Sequence, residues 1–93
     1  MSIQESSVII RSDHVLSTEI DDEVVLMHTK NGQYYGLDAI SGYIWQKLEA
    51  PILVSDLFSQ LIQEYQGEEE RIRLDSLRLL DKMLTSKLIE IKD

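Results

Sequence analysis

Chemistry in a protein usually needs a histidine, a thiol, paired carboxylates or an activated hydroxyl, so those residues are read first. The only histidines are His14 and His28, and the chain has no cysteine. Neither histidine has a second histidine or a thiolate at the spacing a zinc site requires, so both read as ordinary strand or surface residues. Two runs of carboxylates stand out, Asp21-Asp22-Glu23 and Glu68-Glu69-Glu70. The first reads as a turn, because Asp favours turns and a calcium loop needs a longer ligand series. The second reads as the start of a helix, where the macrodipole favours negative charge. No serine sits in a G-x-S-x-G elbow, and the four glycines are too scattered for a phosphate loop. These residues predict no catalytic group, no metal site and no cofactor, and hence no enzyme.

Two other groups of residues point to recognition. The first is Tyr34-Tyr35-Gly36-Leu37. On a strand Tyr35 and Leu37 share one face, and Tyr34 and Gly36 share the other. If Leu37 packs under helices, Tyr34 faces outward. It is then either a cross-strand tyrosine on an open face or the wall of a peptide groove. The second is the segment with Arg71, Arg73, Arg78, Lys82 and Lys87, which carries five of the nine basic residues of an acidic chain. Those charges either balance neighbouring acids along a solvated helix face or serve a ligand.

The elements that must position these residues follow from periodicity. Residues 1–7 are polar and are expected to be disordered. Val8-Ile9-Ile10 is a strand or a tether onto the core. Strands are expected at 15–20, 23–29 and 33–37, in meander order and antiparallel. Asp21-Asp22 makes the first turn. Asn31-Gly32 makes the second, with the type I′ geometry that this pair suits best. The third strand is short and reads as a sheet edge with unpaired backbone groups.

Asp38 is the expected N-cap of a helix running to Leu48, with Ile40, Ile44, Leu48 and Trp45 on its apolar face. Ala50-Pro51 ends it. A second helix starts near Ser55, buries Leu57, Phe58, Leu61, Ile62 and Tyr65, and stops at Gly67 as its C′ residue. A third runs from Glu68 to about Ser86 with two stripes, Leu77-Leu80-Leu84-Leu88 and Ile72-Leu79-Met83. Leu88-Ile89-Glu90-Ile91 is a short apolar tail that reads as a further strand. The order is α+β: a three-stranded antiparallel sheet followed by three helices, compatible with a winged helix-turn-helix arrangement.

Composition narrows the function classes. Ninety-three residues suit one domain, 1–93. No basic region followed by a long apolar run opens the chain, and no apolar stretch approaches membrane-spanning length, so a cytoplasmic location is expected with no membrane partner. A formal net charge of −8 gives no nonspecific attraction to nucleic acid.

The ordered set Val25-Leu26, Lys30-Asn31-Gly32-x-Tyr34-Tyr35-x-Leu37-Asp38, Ile44-Trp45-x-x-Leu48, Tyr65, Asp75-x-x-x-Leu79-Leu80-x-x-Met83 and Leu88-Ile89 resembles the PqqD-like family. These are recognition domains for the leaders of ribosomally made, post-translationally modified peptides (RiPP recognition elements). The resemblance spans roughly residues 15–91. It departs at Asp38, where the family often has Asn, and at Lys87, where it often has Gly, which suggests a less tight end to the third helix. The resemblance implies a winged-helix-like peptide chaperone that binds the leader as an added antiparallel strand beside the third strand, in a cleft closed by the third helix. Carried onto this chain, the groove comprises Gln33, Tyr34, Tyr35 and Gly36 facing Leu74, Leu77, Arg78, Asp81 and Lys82. Tyr34 is the implied apolar wall, and Arg78 and Lys82 the partners of leader carboxylates. A self-contained domain looks most like the lasso-peptide branch, with a precursor leader, a leader peptidase and a macrolactam synthetase (cyclase) as partners. A chaperone for a radical SAM enzyme, as in PqqD itself, is the alternative. A winged-helix transcription regulator shares the fold, but the acidic turn and the three glutamates opening the third helix argue against it.

Overall fold

The computed structural model describes residues 3–92. Along the chain lie β1 (Val8–Arg11), β2 (Val15–Ile20), β3 (Glu23–His28), β4 (Tyr34–Leu37), α1 (Ala39–Lys47), β5 (Ile52–Leu53), α2 (Val54–Glu64), α3 (Glu69–Thr85) and β6 (Ile89–Lys92). The expected antiparallel meander is present as β2-β3-β4. A second antiparallel sheet, β5-β1-β6, joins the start of the chain, the α1–α2 connection and the chain's last strand. The tail at Leu88–Ile91 and the run at Val8–Ile10 thus become strands by pairing with each other. The two-residue β5 carries no sequence signal of its own.

The hairpin turns are exchanged relative to expectation. The two-residue type I′ geometry belongs to Asp21 (φ 51°) and Asp22 (φ 68°), between the paired Ile20 and Glu23. The Asn31-Gly32 connection is longer. The Gly32 N–H donates to His28 O (2.8 Å) and the His28 N–H to Gln33 O (2.9 Å). Only Gly32 has positive φ there (72°). Asn31 uses its side chain instead: Oδ1 accepts the Gln33 N–H at 2.9 Å, an Asx turn that competes with the left-handed conformation.

The core lies between the three helices and both sheets, with Ile9 and Ile89 of the second sheet buried in it. Leu26, Ile44, Leu48, Val54, Leu57 and Leu80 are fully buried. Trp45 is 2% exposed. The Arg11 guanidinium stacks 4.5 Å from its ring centroid and donates from Nε and Nη2 to Trp45 O (3.0 and 2.7 Å). One side chain therefore covers the indole and satisfies a carbonyl near the C-terminus of α1. Ile40, expected on the buried face, is 44% exposed.

Helix ends depart from the expected residues for identifiable reasons. α2 has no side-chain cap. The N–H groups of Val54 and Ser55 donate to Ser7 O (2.9 Å) and Glu5 O (3.0 Å), so the N-terminal segment satisfies them. The same segment seats Ile3 in the core at 2% exposure, with its N–H donating to Asp81 Oδ1 (3.1 Å), while Glu5 pairs with Arg73. Disorder was expected across residues 1–7; residues 3–7 are instead held by α2 and α3, and residues 1 and 2 lie outside the described residues. α2 unwinds at Tyr65, in extended conformation, so Gly67 does not serve as its C′ residue. α3 ends tightly without a glycine. Lys87 adopts φ 63°, its N–H donates to Leu84 O (3.0 Å), and the Leu88 N–H donates to Met83 O (2.9 Å). That bond pair is a Schellman motif with lysine at C′.

Candidate functional site

Among the described residues β4 pairs with β3 alone, so its other edge offers unpaired backbone groups. The register sets Tyr35 opposite Leu26 and Tyr34 opposite Met27. Because Leu26 and Leu37 are buried, Tyr35 turns inward and Tyr34 outward. Tyr34 is 70% exposed, in a row with Met27 and Leu16 on the outer face. The Tyr35 hydroxyl donates to Gln33 Oε1 (2.9 Å), which fixes the ring at the mouth of the turn.

α3 faces the free edge. Leu79, Lys82, Met83 and Ser86 recur at helical spacing and line a cleft of about 400 Å³, with Tyr35, Gly36 and Leu37 on the opposite wall. A Cβ added at Gly36 would meet open space on the outer face, which Gly36 shares with Tyr34. Asp38 and Ser41 close one end. Asp38 caps α1, with Oδ1 accepting the Ser41 N–H at 2.8 Å. The bonds from Ser41, chiefly its backbone N–H, hold the Asp38 carboxyl below the usual carboxylate range. Beyond it a second, more apolar cleft of about 300 Å³ continues along α3, lined by Ile40, Leu61, Tyr65 and Ile72. The two share Asp38, Ser41 and Leu79. The exposed Ile40 thus lines a cleft and not the core.

Of the residues expected at the groove, the structure brings Tyr35, Gly36 and Lys82 together. Gln33 sits at the turn that leads into β4 and touches the site through Tyr35. Arg78 is exposed one turn from Lys82, on the outer rim. Tyr34 lies on the outer face of the sheet and does not line this cleft, whereas Tyr35 does. Leu74 is 50% exposed and points to solvent. Leu77 packs half-buried against the core, and Asp81 is tied to Ile3, behind the helix. Leu79, Met83 and Ser86 also line this cleft from α3. Leu79 and Met83 belong to the stripe Ile72-Leu79-Met83 visible in the sequence, whose spacing alone leaves open whether it meets the core or a ligand.

The arrangement can hold an extended chain: an open strand edge for its backbone, an apolar floor for alternate side chains and a lysine at the rim. Among the described residues no cluster of His, Asp or Glu could hold a metal ion, and no helix is long and apolar enough to cross a membrane.

The family described as coenzyme PQQ synthesis protein D (PqqD) matches residues 23–89. No curated protein matches the chain. A solved structure, TbiB1 in complex with the TbiA(beta) leader peptide, is similar with a TM-score of 0.80 and 34% sequence identity. The match covers 87% of this chain and 94% of that one. The span 23–89 includes β3, β4, all three helices and both clefts along α3.

Proposed function

The chain belongs to the PqqD family, and on that premise we propose that it is a non-catalytic recognition domain that captures the leader of a ribosomal precursor peptide by strand addition at β4. The observation that carries this reading is the open β4 edge with α3 across a cleft from it. Backbone pairing supplies generic affinity, and the apolar floor selects side chains. TbiB1, the similar structure, is itself in complex with a leader peptide, which supports the same role here. The domain then delivers the leader to separate enzymes, a leader peptidase and a macrolactam synthetase of the lasso-peptide type. The acidic Asp21-Asp22 hairpin tip gives no support to a nucleic-acid reader.

The test is fluorescence polarisation with two labelled probes: the TbiA(beta) leader and the leader of the precursor encoded nearest this gene. Saturable binding of the second probe is expected, with backbone amides of residues 33–37 shifting in NMR spectra. Absence of binding by both probes, or shifts confined to other strands, would overturn the reading. Unchanged precursor mass on mixing with this protein alone checks the non-catalytic part.

A further inference from the structure

A larger cleft, about 610 Å³, lies on the other side of the α3–β6 turn. One wall is β6. In the order β5-β1-β6 its outer edge is unpaired, and Ile89, Glu90 and Ile91 face the cleft. The rest of the lining includes His14, His28, Lys30 and Lys87, against the single carboxylate of Glu90. The imidazoles of His14 and His28 lie 6.3 Å apart between ring centroids. His28 is buried, and its Nδ1 accepts the Lys30 N–H (3.2 Å), which makes Nε2–H the donor. Among the described residues that Nε2 makes no hydrogen bond, and neither lysine has an ion-pair partner. The frame is held together: the Ser12 N–H donates to Leu88 O (2.9 Å) and the Thr29 N–H to His14 O (2.7 Å). Lys87 stands in the left-handed conformation that glycine would adopt more easily.

The two clefts adjoin. Ser86 and Leu88 line the β4 cleft, and Lys87 between them lines this one. Direction follows from the chain's geometry. Asp38, at the end of β4, neighbours the N-terminal half of α3 through Ile72, Asp75 and Leu79, so Tyr35 faces the Ser86 end. A strand laid antiparallel to β4 therefore enters beside Asp38 and leaves past Tyr35, at the α3–β6 turn.

We infer that the β6 cleft is a second seat for the same peptide, taking a carboxylate-bearing stretch immediately C-terminal to the stretch paired with β4. The inference rests on the β4 reading, which supplies the direction. The free edge of β6 offers backbone pairing, and Lys30, Lys87 and the imidazole N–H groups meet the carboxylates. A chain of net charge −8 repels an acidic peptide over most of its surface, so a local basic wall of this kind decides where such a segment can rest.

The experiment uses a labelled leader peptide cut back from its C-terminus to the shortest form that binds. That form is extended by Gly-Gly followed by four glutamates or four glutamines. The glutamate form is expected to bind the wild type roughly tenfold tighter at low salt, the gain two exposed ion pairs at the strong end supply. Lys30→Glu with Lys87→Glu should abolish the gain while the cut-back peptide binds as before. Lys87→Gly, which relieves the backbone and so does not threaten folding, should reduce it. Imidazole NMR signals of His14 and His28 should shift with the glutamate form alone. Equal affinity of the two extensions, or a gain that survives the double variant, overturns this inference and leaves the β4 reading intact. Failure of every leader form to bind overturns both.

Discussion

Replacing Lys87 with glycine should stabilise the protein. The left-handed conformation costs an L-residue roughly 1–2 kcal/mol, and Lys87 holds it at φ 63°. Glycine removes that cost but adds unfolded-chain entropy of about 0.4–1 kcal/mol. The Schellman bonds, Lys87 N–H to Leu84 O and Leu88 N–H to Met83 O, are backbone bonds and survive the change. The side chain is exposed and has no ion pair among the described residues, so little else is lost. The net gain is about 0.5–1 kcal/mol. For a domain of this size that raises Tm by about 2–8 °C. Thermal melts and urea titrations should agree, with a higher midpoint and an unchanged slope. Lys87→Ala is the control: it removes the charge and keeps the strain, so it should stay within about 0.5 kcal/mol of wild type. If the glycine variant melts at or below wild type, the strain argument is wrong. If alanine gives the same gain as glycine, the lysine charge and not the backbone was the cost.

Trp45→Ala should destabilise by roughly 3–5 kcal/mol in urea titration, through lost packing and the lost Arg11 stack, because among the described residues the buried Nε1 has no hydrogen bond to lose; a change under about 1 kcal/mol would contradict the buried, Arg11-stacked indole. Asp38→Ala should cost about 1 kcal/mol by loss of the Ser41 cap. Since the folded state lowers the Asp38 pKa, the cap's contribution is full above the unfolded carboxylate value and fades as pH falls through the lower folded one. The Tm gap between wild type and this variant should therefore close in acid, and a gap that persists would assign the effect elsewhere. Tyr34→Ala should change stability by less than about 0.5 kcal/mol and leave leader affinity nearly intact, whereas Tyr35→Ala should weaken binding by about 2 kcal/mol or more. The opposite order in fluorescence polarisation would exchange the strand faces.

What could be read from the sequence was local. The apolar spacing of Leu57, Phe58 and Leu61 placed α2, and Asp38 announced the start of α1. The parity of Tyr34 and Tyr35 hung on whether Leu37 packs under the helices, and the structure answers it: Leu37 is buried and Tyr34 exposed. What was not legible depended on distant partners. β1 and β6 show as short apolar runs but not as partners, β5 gives no signal at all, and their pairing joins residues more than forty positions apart, such as Val8 with Leu53 and Lys92. The turn assignment failed at Asn31 because a side-chain bond to Gln33 competes with the backbone preference. The groove face of α3 was displaced because a helix with two apolar stripes does not say which one meets the core. The N-terminal segment, through Ile3 and Glu5, occupies the side of α3 where the groove was expected.

The position of α3 opposite the β4 edge has a consequence for what can be captured at all. An unpaired strand edge is a template for any neighbouring edge, including that of a second copy. Here the helix stands where the next strand of an incoming sheet would have to go, since adjacent strands must lie about 4.8 Å apart. On the proposed strand-addition reading, a lone strand would enter beside β4 and a folded sheet would meet the helix. The cleft would then act as a sieve for conformation before it reads any side chain, admitting chains that have not folded and turning away finished proteins. With Lys82 in the cleft lining, an edge that would otherwise invite aggregation would be restricted to single, extended guests.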